Sequence, residues 1–386
     1  MISTRNGQHP SPAQTRVVVA MSGGVDSSVA AALLVQQGYD VIGMMMRLWS
    51  EPGMGPRAPL NRCCTPDQMA DARRVADLLR IPFYVIDVQD YFRRAIVQFF
   101  IDEHARGRTP NPCIECNRQV RFTHLLQRAL ALDADYLATG HYARVHHTHG
   151  NYQLLKGLDD DKDQSYVLHM LNQAQLARVM FPVGAYTKPA VRQIAADLGL
   201  LPVANKSESM DLCFLGDGDY RRFLTQHAPQ LAQPGPILNT RGEELGRHDG
   251  LPYYTIGQRK GLGISAPRPL FVLAKDAARN ALIVGTRAEV GQHRMEVRDV
   301  NWIAGQPPAF PIVTSVKVRY KARPVPATLT PGDDRRLRVS LHEPLPGITP
   351  GQGAVFYDDD ICLGGGLIAD MGFAPATEPE VAVARA

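Results

Sequence analysis

The sequence contains no apolar run approaching the roughly 18 residues that cross a bilayer, so no membrane-spanning helix is expected. Residues 1–15 are polar and lack the apolar core of a secretory signal. They read as a disordered tail, and the chain as a soluble, cytoplasmic protein with no membrane partner. Cysteine is scarce, six residues in 386. In that compartment a disulfide scaffold is not expected, and each thiol becomes a question of reactivity or metal binding. Two well-known phosphate loops are missing as well. No lysine follows Gly23 and Gly24 as a Walker loop requires, and the spacing G-x-G-x-x-G is absent.

What is present is an apolar strand, Val17-Val18-Val19-Ala20, running into Met21-Ser22-Gly23-Gly24-Val25-Asp26-Ser27-Ser28 and a helix through Val29, Leu33 and Leu34. A two-glycine turn between strand and helix aims unpaired helix amides, and the positive end of the dipole, at one point. Glycines let the backbone approach an anion, and Ser22, Ser27 and Ser28 are expected to add hydroxyl donors. Asp26 is placed to hold Mg2+ against that anion. The string S-G-G-x-D-S resembles the pyrophosphate loop of the ATP-pyrophosphatase superfamily. That resemblance implies adenylation of a carbonyl oxygen with release of pyrophosphate.

The length suggests about two or three domains. Alternating strands and helices, including helical spacing over residues 66–79 and 91–106 and strands at 41–46, 83–86 and 135–139, predict an α/β catalytic domain. Its parallel sheet is Rossmann-like and spans residues 16–215. From Gly216 short strands and turns are expected: a small β-rich central domain at 216–290, with residues 250–264 as a compact β module, then a C-terminal β-barrel at 291–373. The Pro- and Glu-rich residues 374–386 read as a disordered tail.

The net charge of +4 permits a nucleic-acid partner without demonstrating one. In residues 107–118 two prolines frame an extended loop that reaches Cys113 and Cys116. Cys116 is expected at a helix start, where the dipole favours a thiolate, among Arg106, Arg108, Arg118 and Arg121. No structural metal is expected, since a lone C-x-x-C lacks the second pair of a zinc site. Cys213 has apolar neighbours and by itself reads as a core thiol. The adjacent Cys63 and Cys64 read as structural. Lys317, Arg319 and Lys321 share one face if their segment is a strand, which would suit a phosphate backbone.

Taken together, S-G-G-V-D-S-S, the R-T-P-N-P-x-x-x-C-N ending at Asn117, G-H-Y from Gly140, K-D-Q-S-Y from Lys162 and the cysteine before Phe214 resemble the tRNA-specific 2-thiouridylases. Y-T-I-G-Q-R-K-G-L-G from Tyr254, R-Y at Arg319 and the run from Gly351 extend the match. The resemblance implies ATP lined by Ala20, Met21, Ser22, Gly23, Gly24, Val25, Asp26, Ser27, Met46 and Gly140. It implies catalysis by Cys116 with Cys213 carrying a persulfide, loaded by a partner sulfurtransferase or relay protein. Asn111, Pro112, Cys113, His141, Lys162, Asp163, Gln164, Arg319, Tyr320 and Gln352 would face tRNA. Cys113 stands where the family often has Asp, and Cys116 is preferred as nucleophile because it precedes Asn117. Two rival readings keep the ATP loop: an iron–sulfur cluster on Cys113, Cys116 and Cys213, and an amidating enzyme that needs no Cys213. A nucleotide-sensing RNA-binding protein without chemistry is a third.

Overall fold

The computed structural model describes residues 11–51, 65–204, 206 and 212–370. Cys63 and Cys64, nearly all of the Pro- and Gly-rich loop before them and the tail at 374–386 fall outside those residues.

Val17, Val18 and Val19 are fully buried because their strand, Arg16–Ala20, is covered on both faces. Its parallel neighbours are Asp40–Arg47 and Tyr136–Thr139. Phe83–Asp87 and Val179–Met180 complete a five-stranded sheet at its two edges. Side chains alternate along the strand. Val17 and Val19 pack with residues of the helices Val25–Gln36, Pro66–Leu79 and Lys188–Asp197. Val18 packs on the opposite side with Phe122, Leu125 and Leu126. The helix Pro66–Leu79 starts where its chemistry dictates: Thr65 and Gln68 form a capping box and Pro66 fills the first position. At the chain start, Pro12–Gln14 forms a short helical turn and Thr15 is buried. The polar segment read as a tail therefore joins the fold by Pro12.

Downstream, a four-stranded sheet combines Gly235–Leu238, Glu244–His248, Phe271–Asp276 and Ala281–Gly285. Two features depart from the sequence reading. The helix Tyr220–His227, capped by Asp219, opens this region and buries Phe223 and Leu224. Residues 254–270 form no strand; Gly257, Gly261 and Gly263 turn the chain at positive φ while Tyr254, Ile256 and Leu262 plug the small core. Last comes the barrel: six antiparallel strands between Gly291 and Ile368 close through the pairing of Gly291–Trp302 with Ile361–Ile368. A hairpin from the N-terminal region, Ala143–Thr148 with Asn151–Lys156, attaches to that closing strand at Leu154–Cys362 and Leu155–Ile361.

An ion cluster ties the end of the second strand to the helix Tyr220–His227. Glu51, whose side chain is 1% exposed, accepts from both Arg222 guanidinium nitrogens at 2.8 and 2.6 Å and lies 2.9 Å from His227 Nε2. Burial pushes the Glu51 carboxyl up, but hydrogen bonds from Arg222 and His227 outweigh it and leave it below the ordinary value of 4.5. Arg222→Gln is expected to cost about 3 kcal/mol, the low end for a broken buried pair because the Arg222 side chain itself is partly in water. A carboxyl depressed on folding stabilises fully above its unfolded value and loses that contribution as the pH falls through its folded one. The gap between variant and native protein in denaturant titrations should thus be full at neutral pH and close below 4.5.

Candidate functional site

The phosphate loop follows its strand and opens its helix as expected, but two of its serines, Ser27 and Ser28, donate to the loop itself. Ser22 N donates to Ser27 Oγ at 3.1 Å, and Ser28 Oγ, fully buried, donates to Gly24 O at 2.9 Å. The Ser27 and Ser28 hydroxyls pin the turn by donating to Gly24 O, while the Ser22 side chain is exposed, its Oγ 3.3 Å from Ser27 Oγ. What faces the seat is backbone: Gly24 is the N-cap of the helix Val25–Gln36, and no side chain caps it. Gly23 has φ +70°, and a Cβ there would lie 2.3 Å from Gln68 O. The neighbouring helix thus presses the loop into shape. Gly140, at the end of the adjacent strand, meets the same turn; a Cβ on it would lie 2.6 Å from Ser27 N and 2.7 Å from the Asp26 carbonyl carbon. Met21 is buried under Gly43, and its N–H donates to Met44 O at 2.8 Å.

Asp26 is engaged. Its Oδ1 accepts from Tyr142 at 2.7 Å, and both carboxylate oxygens hold Lys188 Nζ at 2.7 and 2.8 Å. Lys188 is 7% exposed, lies over the Tyr142 ring, and has its own N–H bonded to Asp159 Oδ2 at 2.8 Å. Three separate stretches, the loop, G-H-Y and the acidic turn before K-D-Q-S, therefore meet on one lysine that sequence reasoning treated only as part of a helix start. A second lysine, Lys206, bonds Gly23 O at 3.0 Å and pairs with Asp71.

The cysteine loop differs from expectation in its helix start. Asn111 is the N-cap, accepting from Cys113 N at 3.1 Å, and Pro112 is the first helical residue. Cys113 therefore occupies the first turn and is exposed, while Cys116 begins a π-helical stretch, Cys116–Leu125, and is buried. The dipole argument made for Cys116 applies to Cys113 instead. The arginines are also committed: Arg106 and Arg108 to Glu103, Arg118 to Glu115, and Arg121 to Asn117 Oδ1. The two cysteines assigned to catalysis nevertheless belong to one apolar cluster. Cys116 packs in it with Phe92, Val120, Phe214 and Leu215, and Cys213 and Met46 pack against it. Met46 touches a second cluster beneath the sheet as well, the one that holds Val18 and Phe122, so the strand Asp40–Arg47 ends between that cluster and the thiols.

The residues assigned to tRNA fall into two groups. Lys162 and Tyr320 come together, Tyr320 Oη lying 3.5 Å from Lys162 O. Others serve the framework. Gln164 brackets Tyr142 with two bonds of 3.0 and 2.8 Å, and buried Asp163 accepts from Gly157 N, Ser165 N and Ser165 Oγ. His141 is buried near the rings of Phe122 and Phe181, with Nδ1 2.7 Å from Thr139 Oγ1; burial, then the Arg121 charge, push it down to about 3. It is a neutral packing histidine at physiological pH. Gln352 Nε2 donates to Thr109 O at 2.9 Å and to Pro110 O at 3.3 Å, and Thr109 N donates to Pro350 O at 2.9 Å. The barrel thus grips the loop that leads to the cysteines. Arg319 Nη2 joins Ile256 O to Thr349 Oγ1. The expected cationic strand face is not formed. The strand ends at Lys317, whose side chain turns toward Asp163, and Arg319 and Lys321 lie beyond it in an exposed bend and turn.

Three family profiles cover the chain. One described as a tRNA methyl transferase HUP domain matches residues 15–217, a tRNA methyl transferase PRC-barrel domain matches 221–286, and an aminomethyltransferase beta-barrel domain matches 292–368. Curated relatives carry another reaction in their names. The tRNA-specific 2-thiouridylase MnmA of Chloroflexus aggregans is 51% identical over 354 residues, covering 92% of this chain and 98% of the relative. That of Roseiflexus castenholzii is 46% identical over 370 residues, covering 92% and 99%. The Clostridium perfringens protein of the same name is 44% identical over 356 residues, again 92% and 99%. With identity at this level running through nearly the whole of both chains, the chain belongs to the tRNA-specific 2-thiouridylase family.

Proposed function

We propose that this protein is a sulfurtransferase that converts the wobble uridine of tRNA to 2-thiouridine, with ATP cleaved to AMP and pyrophosphate. The observation that carries the reading is the gathering of Cys116 and Cys213 in one cluster, beside a strand whose neighbour ends in the phosphate loop. A uridine 2-carbonyl is a weak electrophile with a poor leaving group, so its oxygen must first attack the α-phosphorus of ATP and expel pyrophosphate. Gly23, Gly24 and the first-turn amides of the helix Val25–Gln36 would seat the departing phosphates, with Gly140 giving the nucleotide room. Magnesium, held against the phosphates by Asp26, would neutralise charge there.

Sulfur would then arrive as a persulfide on Cys213, loaded by a partner protein. Either its outer sulfur attacks C2, AMP leaves, and the Cys116 thiolate cleaves the S–S bond at Cys213. Or Cys116 first releases hydrosulfide, which attacks C2. Both routes end in a Cys116–Cys213 disulfide that an external thiol must reduce. The cluster alternative needs Cys113 together with Cys116 and Cys213, and Cys113 is exposed and is not among the residues of the apolar cluster that includes the other two. The base must leave the anticodon stack to reach this site, held by its backbone.

The test is nucleoside mass spectrometry on tRNA incubated with the protein, ATP, magnesium and a persulfide donor. The expected result is 2-thiouridine formed in step with AMP and pyrophosphate. Nucleotide cleavage with a nitrogen-containing product, or none, would overturn the sulfur reading.

A further inference from the structure

A Walker loop carries its own lysine, whereas this loop has no cation in its own segment, since no lysine or arginine lies between Val17 and Gln36. The fold brings one from far along the chain. Lys188 Nζ reaches both oxygens of Asp26, 162 residues away, in the first turn of the helix that the loop feeds. This is a poor place for a lysine on grounds of stability. It is the first residue of its own helix, Lys188–Asp197, and its ammonium lies at the N-terminal turn of another. Both dipoles oppose a positive charge there. Its stem is buried as well, and Asp26 and the face of the Tyr142 ring stand in for water at the ammonium. A charge stored against two dipoles beside the Asp26 carboxylate is suited to meeting a polyanion.

We propose that Lys188 is the phosphate-binding cation of the nucleotide site, held in reserve by Asp26 until ATP arrives. This rests on the reading of the loop as the ATP seat. Asp26 and Tyr142 position the ammonium at the mouth of the helix, and the incoming phosphates take it over from the carboxylate. Asp26 is thereby freed to face a cation that accompanies the nucleotide. Paired with Lys188, Asp26 adds no net negative charge to a pocket that must accept a highly charged anion.

The test uses the sign of two substitutions. The full chain is titrated calorimetrically with ATP in EDTA, so that no divalent cation contributes. If Lys188 serves phosphate, Lys188→Gln weakens ATP by about tenfold or more, whereas Asp26→Asn, which removes the competing carboxylate, tightens it several-fold. Lys188→Arg keeps the charge and recovers most of the loss. If both Lys188→Gln and Asp26→Asn weaken ATP, or Lys188→Gln leaves it unchanged, the lysine is only a structural partner of Asp26 and the proposal falls. Gly23→Val separates this failure from that of the underlying reading. Loss of ATP in Gly23→Val with native affinity in Lys188→Gln rejects the lysine alone, while native affinity in Gly23→Val rejects the loop as the seat. Thermal unfolding of each variant shows that a loss of binding is not a loss of fold.

Discussion

Cys213→Ala is expected to abolish 2-thiouridine formation, a loss of about four orders of magnitude or more, while pyrophosphate still appears as a single burst equal to the enzyme present. Activation of the base needs the phosphate loop and not the thiol, so the adenylate forms once and stalls. Cys116→Ala should lose turnover to a similar extent but leave a different trace. If the persulfide attacks C2 directly, the tRNA stays joined to Cys213 through a disulfide, visible as a mass shift on the protein, and dithiothreitol releases 2-thiouridine from it. If hydrosulfide is the nucleophile, no such adduct forms. Cys113→Asp is the control, with activity retained, because Cys113 is exposed and is not among the residues of the cluster that Cys116 and Cys213 share. Loss of activity in Cys113→Asp together with survival of Cys116→Ala would exchange the roles of the two thiols.

The second large effect is expected at Gly140. An alanine methyl there would press on Ser27 N and the Asp26 carbonyl carbon, backbone atoms that cannot turn away. Relief requires the strand Tyr136–Thr139 or the first turn of the helix Val25–Gln36 to shift. The cost in stability is about 2 kcal/mol, within what a domain of this size tolerates. The cost in function is larger, because a displacement on the order of 1 Å at a reacting centre lowers kcat/KM about a hundredfold. Pyrophosphate release at varied ATP, compared with urea unfolding of the same samples, separates the two. A variant that binds and cleaves ATP normally would mean that Gly140 does not border the nucleotide.

Much of this was legible because it is local. The run Val17 to Ala20, the glycine pair after it and the cap at Thr65-Pro66 report strand, turn and helix within a few residues of themselves. The start of the cysteine helix was legible in the same way and was misread: Asn111-Pro112 is a cap followed by a first-turn proline, yet the helix was placed at Cys116. The Lys188–Asp26 pair carries no local signal, nor does the hold of Gln352 on Thr109, 243 residues apart. Cys116 and Cys213 could be paired only through the family resemblance, since nothing in the neighbourhood of Cys213 distinguishes it from a core thiol. In residues 254–270 the turns were visible as glycines, but strands were inferred between them where buried side chains plug a core without a ladder.

The hairpin that leaves the first sheet to join the barrel also sets a schedule. Its Lys156 meets the turn at Asp359, 203 residues later, and the Gln352 clamp on the cysteine loop is made by the same late stretch of chain. Contacts this distant in sequence form slowly and cannot form before their second half exists. A growing chain on the ribosome therefore carries its phosphate loop, and from Cys213 onward both thiols, before the Gln352 hold on the cysteine loop can form. The loop that leads to Cys113 and Cys116 gains its hold on residues 350–352 only when that last part of the chain has emerged.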